Sequence, residues 1–268
     1  MHLPSMGELI AAVEMAGHTM TNRFSHVHDV TDKDDGTPVT PVDIEINRQL
    51  AGYAKLWKLG LLGEEGNGEE SASHYLFVDP LDGTGAYARG MATATVIASI
   101  MEDGLPIAAV IHNPITKQTW AATKDGGAWY AYGHTTLTRA NAAKKSEPRW
   151  NTAICVWPGV DQPFADFQRK VLANSDYSDQ QMGAFGLGGG LIASGLLHAT
   201  AISATSAVET AAMSLIVREA GGIAIDLHGN PLERFELGQH RGKADFLLPH
   251  GAIIACGTEA AEALATLY

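Results

Sequence analysis

Hydrophobic positions near the start of the chain follow a helical period. They recur at the i, i+3, i+4 spacing of an amphipathic helix, through Leu9, Ile10, Val13 and Ala16 or Gly17. We expect this helix to open the chain and to pack on the body of the protein. Residues 31–41 are rich in Asp, Lys, Gly, Thr and Pro, which predicts a loop, and residues 42–57 predict a second helix. The loop therefore delivers Asp43 to the start of that helix.

Short apolar runs separated by turns come next, and they indicate strands. Residues 75–78 predict a buried strand that is stopped by Asp79-Pro80. Four further β-prone runs, with polar or glycine-containing turns between them, predict an antiparallel meander, at residues 96–101, 107–112, 119–123 and 128–132.

The composition turns polar and charged around residues 141–149. Beyond this stretch, strand-like and helical runs alternate, at residues 154–156, 191–197, 210–220 and 253–256. We therefore predict an N-terminal α+β subdomain over residues 1–140 and a C-terminal α/β subdomain over residues 141–268. A glycine cluster at residues 183–190 is the one compositionally biased segment.

The charge balance excludes one class of partner. The 268 residues include 18 Lys and Arg against 30 Asp and Glu, a formal net charge of -12. Such a chain offers no continuous basic surface for a nucleic acid polymer. Acidity is nevertheless compatible with an anionic phosphate ligand when clustered carboxylates hold a divalent cation.

Cysteine usage and the N-terminal sequence indicate a cytoplasmic protein. Cys155 and Cys256 stand in no zinc-binding pattern, and we expect both to be reduced core residues. The first twenty residues include Glu8 and Glu14 and lack a basic start, which argues against a secretory signal. No apolar stretch reaches the roughly 18 residues that a membrane span needs.

One hexapeptide carries most of the chemistry. Asp79-Pro80-Leu81-Asp82-Gly83-Thr84 follows a predicted strand, and the turn brings the two carboxylates close enough to share metal ions. Mg²⁺ prefers oxygen ligands, so a further acid is expected nearby. Glu64, in Gly63-Glu64-Glu65-Gly66, is the leading candidate.

Gly83 and Thr84 predict a phosphate site next to the metal ligands. A glycine lets backbone amides approach an anion, and the amides at a helix start suit phosphate. The Thr84 hydroxyl would hold a water for in-line attack if a carboxylate oriented it, and Asp43 is the candidate for that role. Bound metal ions would lower the pKa of that water.

Four separated motifs, in this order, resemble the inositol monophosphatase-like superfamily of metal-dependent phosphomonoesterases. They are Thr37-Pro38-Val39-Thr40 with Asp43, Gly63-Glu64-Glu65, the hexapeptide, and Glu219-Ala220-Gly221-Gly222. The superfamily includes inositol monophosphatases, fructose-1,6-bisphosphatases, 3′-phosphoadenosine 5′-phosphate phosphatases and one class of histidinol-phosphate phosphatase. The resemblance implies an α/β fold, a layered α-β-α-β-α sandwich, and direct attack by water without a phosphoenzyme.

The resemblance also assigns roles to single residues. It implies metal binding by Glu64, Asp79, Asp82 and the Leu81 carbonyl, with about two to three Mg²⁺ ions per site. Activation of the water falls to Asp43 and Thr84 together with Glu64. Lys33 corresponds to a mobile loop.

Three positions depart from the family pattern in the second half. The last metal ligand is an Asp in a Trp-Asp-x-Ala-Ala pattern, whereas this chain has Val208-Glu209-Thr210-Ala211-Ala212. Glu209 keeps the carboxylate with one more methylene group. Ile202 replaces the acid that contacts inositol hydroxyls in many inositol monophosphatases, and His198 falls in a region of substrate contacts. Ile202 and His198, together with the glycines of residues 183–190, predict an atypical leaving-group pocket.

The expected reaction is Mg²⁺-dependent hydrolysis of a small phosphorylated metabolite, in the manner of an inositol-1-phosphatase. Phosphatases acting on 3′-phosphoadenosine 5′-phosphate, histidinol phosphate or a sugar bisphosphate are alternatives. A rival of another class is a catalytically weakened protein that binds metal and a phosphate ligand. The resemblance further implies lithium inhibition and a possible homodimer.

Overall fold

A computed structural model describes most of the chain. The described residues are 3–24, 29–33, 38–63, 65, 73–133, 136–142, 153–156, 162–174, 177–203, 205–235 and 248–268, with the backbone alone at 153–156 and 162.

Two long helices form the first layer, and capping residues explain where they begin. Helix α1 spans Met6–Arg23 and starts with a capping box in which the side chains of Ser5 and Glu8 satisfy each other's backbone amides. The chain then forms a two-residue ladder between β1 (Thr31–Asp32) and β2 (Pro38–Val39). The prediction of a plain loop over residues 31–41 was therefore wrong at both of its ends.

Helix α2, Pro41–Trp57, confirms the second predicted helix. Thr40 and Asp43 form its capping box, and Pro41 occupies the first turn, where its missing N–H costs nothing. The apolar faces of both helices are fully buried against one side of a large sheet, in a core that includes Val13, Ile46 and Val110.

Seven strands form that sheet in the order β3-β4-β5-β6-β7-β8-β9. Only β3 and β4 pair in parallel; the remaining pairs are antiparallel, as the predicted meander requires. The strands are β3 (Gly60–Gly63), β4 (His74–Asp82), β5 (Thr95–Glu102), β6 (Leu105–Asn113), β7 (Gln118–Thr123), β8 (Gly127–Tyr132) and β9 (Thr138–Arg139).

Strand β4 is longer than its hydrophobic pattern indicated. It continues through Asp79-Pro80 to Asp82, with a register shift against β5 between Asp79 and Asp82. A proline is tolerated at such an irregularity because no ladder hydrogen bond is required of it there. The expectation that Asp79-Pro80 ends the strand was wrong.

A second helix layer covers the other face of the sheet. It consists of α5 (Phe185–Ala193) and α6 (Ala207–Glu219), and a single helical turn, α3 (Thr84–Ala88), follows β4. The two helices pack on Ile97, Ile111 and Trp120 of the sheet. The glycine cluster of residues 183–190 thus enters a buried helix, so the apolar run expected at 191–197 begins earlier in the chain than predicted.

A smaller sheet and two outer helices complete the molecule. The strands follow the order β11-β10-β12-β14-β13, where β10 is Ala153–Val156, β11 Ser178–Asp179, β12 Ala199–Ile202, β13 Ile223–Ile225 and β14 Ala252–Ala255. Helices α4 (Gln162–Ala173) and α7 (Thr258–Leu267) pack outside it through Phe164, Phe167 and Leu264. The layers follow the order helix, sheet, helix, sheet, helix, which confirms the α-β-α-β-α fold class.

Among the described residues, no helix is long and apolar enough to cross a bilayer. Cys256 is buried in the core, as expected, whereas the Cys155 side chain lies outside the described residues. The division at residues 140 and 141 stays a prediction.

Candidate active site

The two aspartates of the hexapeptide lie where β4 leaves the sheet. Asp79 and Asp82 are 1% and 5% exposed, so their carboxylates are held inside the protein. The Leu81 amide donates to Asp79 Oδ1 over 3.0 Å, a local turn that fixes the Asp79 side chain. The register shift between the two residues turns both side chains toward the same end of the sheet.

Asp82 is anchored by three neutral donors. The backbone amides of Phe185 and Gly186 donate to Oδ1 and Oδ2 over 2.9 and 2.8 Å, and the Thr95 hydroxyl donates to Oδ2 over 2.8 Å. Ala184, the residue before α5, supplies no side-chain cap. Asp82 therefore caps the start of α5 from a distant part of the chain and complements the positive end of the helix dipole.

Glu209 reaches these aspartates from the first turn of α6. One carboxylate oxygen each from Asp79, Asp82 and Glu209 lie within 4.8 Å of one another, a group called here the acidic cluster. Ser206 caps the helix by accepting from the Val208 amide, and the Thr205 hydroxyl donates to Glu209 Oε2 over 3.1 Å. The extra methylene group of glutamate thus does not keep this carboxylate away from the aspartates.

The acidic cluster is electrostatically unfavourable without a counter-ion. Carboxylates this close repel one another, and partial burial weakens the screening by water. An all-oxygen donor set of this kind fits a hard divalent cation such as Mg²⁺. The site's own chemistry therefore favours a bound cation.

Beside the acidic cluster, Thr84 and Asp43 meet as predicted. The Thr84 hydroxyl lies 2.9 Å from both Asp43 Oδ1 and the Leu81 carbonyl. The other oxygen of Asp43 accepts from the amide and hydroxyl of Thr40, which fixes the carboxylate in place. Burial raises the pKa of Asp43, and the hydrogen bonds from Thr40 and Thr84 oppose that rise.

Gly83 allows the hexapeptide to approach the segment that precedes α5. Its φ of 85° is left-handed, and a Cβ built on it would lie 2.5 Å from the Gly183 carbonyl oxygen. No larger residue fits here without moving that segment. The role of Gly83 and Thr84 in holding phosphate stays a prediction.

The remaining predicted residues lie around this centre or outside the described part of the chain. Glu64 falls outside the described residues, whereas its neighbour Glu65 forms an ion pair with Lys33 that is largely shielded from solvent. The buried Leu81 supplies the carbonyl beside Thr84. Ile202 ends β12, ahead of the segment that leads to Glu209. His198 immediately precedes the same strand, and the substrate contacts of both residues stay a prediction.

Sequence reasoning missed Thr95, Thr205 and the amides of Phe185 and Gly186. All four contact the acidic cluster through hydrogen bonds. Thr95 sits in a strand and Thr205 before a helix, where threonine is common for structural reasons. The one available signal was the glycine run, because a glycine-rich segment indicates a close approach to another part of the chain.

The chain matches the inositol monophosphatase family over residues 5–267. A histidinol-phosphatase of Mycobacterium tuberculosis is 30% identical over 74% of this chain and 77% of its own length. A 3′(2′),5′-bisphosphate nucleotidase CysQ of Aggregatibacter actinomycetemcomitans is 26% identical over 84% and 85%. The solved structure of a Thermotoga maritima IMPase covers 97% of this chain and 96% of its own with a TM-score of 0.77 at 20% identity, a likeness of fold.

Proposed function

Because the chain belongs to the inositol monophosphatase family, and is thus a phosphatase acting on phosphate monoesters, we propose that it is a Mg²⁺-dependent hydrolase of a small phosphorylated metabolite. The observation that carries the metal dependence is the acidic cluster, with carboxylate oxygens from Asp79, Asp82 and Glu209 within 4.8 Å of one another. Lithium sensitivity and a homodimeric state belong to the same proposal.

The residues of the acidic cluster would hold the cation, together with Glu64 and the Leu81 carbonyl. Bound Mg²⁺ would supply a lower pKa for the attacking water and would neutralise charge on the phosphate oxygens. The chain's part is to hold the ligands in a fixed orientation. The capping of α5 by Asp82 serves that purpose, since three hydrogen-bond donors fix its carboxylate.

Orientation of the nucleophile is proposed for Thr84 and Asp43. Asp43 is fixed by Thr40, so its Oδ1 is a rigid acceptor for the Thr84 hydroxyl. With its proton directed to Asp43, the Thr84 oxygen presents a lone pair to a water molecule. That water would attack phosphorus in line with the leaving group, as direct hydrolysis requires.

The substrate is proposed at the level of a class. Inositol 1-phosphate is the first expectation, and Ile202 removes an acid suited to its hydroxyl groups. Relatives named for histidinol phosphate and for a bisphosphate nucleotide support the alternatives. The resemblance gives position 202 a substrate contact. An apolar side chain at such a contact would favour a substrate with fewer hydroxyl groups than inositol, because hydroxyls facing an apolar wall lose hydrogen bonds to water.

Phosphate release from purified protein tests this proposal. The substrates are inositol 1-phosphate, histidinol phosphate, 3′-phosphoadenosine 5′-phosphate and fructose 1,6-bisphosphate, each with Mg²⁺ or with chelator. Asp79→Asn is the better inactive variant, since its amide oxygen still accepts from the Leu81 amide. Asp82→Asn would also weaken the cap of α5, because an amide nitrogen cannot accept from a backbone N–H.

Glu14→Gln is the matched control. Glu14 accepts from Thr119 beneath α1, on the face of the sheet opposite to α5 and α6. We expect Mg²⁺-dependent release that Asp79→Asn lowers by at least about 10³-fold, while Glu14→Gln retains it. Tight phosphate-ligand binding without release from any substrate would favour the binding-protein alternative.

A further inference from the structure

Two buried threonines outside the sequence motifs contact the acidic cluster. Thr95 begins β5 and is fully buried, and its hydroxyl donates to Asp82 Oδ2. Thr205 is 3% exposed, precedes α6, and donates to Glu209 Oε2. Each hydroxyl thus reaches one of the two carboxylates that border Asp79.

In the described residues at the start of α6, Glu209 does not form the capping box that its sequence position would allow. Ser206-x-x-Glu209 has the sequence of a capping box, as does Ser5-x-x-Glu8 at α1. At α1 the Glu8 carboxylate accepts from the Ser5 amide. At α6, within the part of the chain that the structure describes, Glu209 instead accepts from Thr205 and extends to the two aspartates.

Thr205 is itself held in place. Its hydroxyl lies 3.2 Å from that of Thr210, one helical turn into α6, where Thr210 is fully buried. Thr210 can donate to Thr205 while Thr205 donates to Glu209, which gives a chain of two hydroxyls that ends on the carboxylate. This arrangement fixes one rotamer of a side chain that is longer than aspartate.

Gly186 makes the corresponding arrangement at Asp82 possible. A Cβ on Gly186 would lie 2.9 Å from Thr95 Oγ1, 3.1 Å from Asp82 Oδ2 and 2.5 Å from Ile97 Cδ1. The start of α5 can therefore approach the Thr95–Asp82 pair only because residue 186 has no side chain. Thr95 completes the set of donors that the two α5 amides begin.

We propose that Thr95 and Thr205 are positioning residues that orient Asp82 and Glu209 for a divalent cation. The proposal rests on the proposed function, since it concerns the same metal site. Hydroxyl donors suit this role because they fix a carboxylate without neutralising its charge. A lysine or arginine donor would orient the carboxylate equally well, but its positive charge would compete with the cation.

Mn²⁺ binding, followed by electron paramagnetic resonance of the free ion, measures the site without turnover. The variants are Thr95→Val and Thr205→Val, which remove the hydroxyl at nearly constant volume, and the corresponding serine variants, which keep it. Removing a group that hydrogen-bonds a metal-ligating carboxylate typically lowers metal affinity by about 10- to 100-fold, so each valine variant should bind Mn²⁺ more weakly by about that factor. The serine variants should stay within about threefold of wild type.

Thr119→Val is the matched control. Thr119 is a buried threonine that donates to Glu14 over 3.0 Å on the opposite face of the sheet. The Thr119→Val protein should be less stable than wild type and should bind Mn²⁺ with wild-type affinity. Thermal unfolding in chelator reports on folding of every variant, and Thr205→Val decides the question if Thr95→Val does not fold.

The outcomes separate two failures. Valine variants that fold and bind Mn²⁺ like wild type would overturn the positioning role while leaving the proposed function intact. If wild-type protein shows no saturable Mn²⁺ binding, the metal site is overturned, and this proposal with it. The same holds if Asp79→Asn binds Mn²⁺ as tightly as wild type. Serine variants as weak as the valine variants would show that packing of the threonine methyl group, and not the hydroxyl, is responsible.

Discussion

A single methylene group at Glu209 illustrates how one residue is fitted to its surroundings. The family pattern places an aspartate at this position, yet the carboxylate of Glu209 reaches Asp79 and Asp82 and is held by Thr205. The longer side chain and the threonine form one unit. The departure therefore does not by itself indicate a weakened enzyme.

Glu209→Asp should consequently impair the protein, although it restores the family's residue type. The shorter side chain would lose its contact with Thr205 and move the carboxylate by about 1 Å or more, a displacement that can cost roughly 10²-fold in rate. Glu209→Gln keeps the length, removes the charge, and should be the more severe change. Steady-state kcat/KM over a Mg²⁺ series measures both. Full activity of Glu209→Asp would show that the length of Glu209 and its contact with Thr205 do not matter for catalysis.

His112 provides a second prediction for a single residue, away from the acidic cluster. It is 6% exposed beneath α1, where its Nδ1 lies 2.9 Å from Thr119 Oγ1 and 3.1 Å from the Gln118 carbonyl. Burial lowers the pKa of His112, opposed by Glu14 and the Gln118 contact and reinforced by His18. The folded protein thus takes up this proton at a lower pH than the unfolded chain.

Stability should therefore fall as pH falls below about 6.5, the ordinary pKa of histidine, because the unfolded chain then binds the proton first. The loss should end once the pH is below the folded-state pKa. In His112→Gln this component is absent, so the free energy of unfolding should decline less between pH 7.5 and 5.5. Urea unfolding at several pH values measures the difference, and parallel curves for both proteins would count against it.

Helix α5 shows what can be read from a pattern at the scale of an element. Its glycines disfavour a helix intrinsically, so local propensity indicated a biased segment followed by an apolar run. Packing decides otherwise, since a Cβ on Gly190 would lie 2.4 Å from the Trp120 ring, and one on Gly189 would lie 2.7 Å from Met213. Neither contact can be predicted from the residues that are close to these glycines in sequence.

Gly190→Ala should therefore destabilise the protein. Alanine gains up to about 1 kcal/mol of helix propensity over glycine, but overpacking against Trp120 should cost about 1–3 kcal/mol. Gly52→Ala in α2 is the matched control, because nothing lies within 4 Å of a Cβ there and the propensity gain should appear as added stability. Denaturant midpoints of the two variants should move in opposite directions; a common direction would refute the packing explanation.

The hexapeptide and the C-terminal motif differ in how far apart in sequence their interacting residues lie. Asp79 and Asp82 could be predicted as a pair because strand and turn geometry relate residues close in sequence. Glu219, in the last predicted motif, acts over a longer range. Its carboxylate accepts from the amide of Asp125, in the turn between β7 and β8, and from that of Gly127, the first residue of β8, over 2.7 Å each. These hydrogen bonds join residues that are distant in sequence, so the pattern of residues along one sequence does not predict them.

At the scale of the whole molecule, the acidic cluster joins two layers. Asp79 and Asp82 belong to the large sheet, whereas Glu209 belongs to the helix layer that also packs on the small sheet. The strand and helix patterns predicted individual elements, whereas the order of the layers was predicted from the family resemblance. Which faces would meet depended on side-chain packing across the layers, and composition does not specify that.

A cation bound between these layers should stabilise the entire fold. A ligand that binds only the folded state raises stability as its concentration rises, so Mg²⁺ should raise the melting temperature of the wild type progressively.

Without a cation, repulsion between the carboxylates of the acidic cluster destabilises the folded state, in addition to the repulsion from the net charge of -12. Asp79→Asn removes one of these charges and keeps the acceptor for the Leu81 amide. Its melting temperature in chelator should therefore exceed that of wild type by a few degrees, corresponding to about 1 kcal/mol, while its response to Mg²⁺ should be lost. Scanning calorimetry with and without Mg²⁺ measures both effects. If the variant melted below wild type in chelator and still responded to Mg²⁺, repulsion within the acidic cluster would not be what a cation relieves.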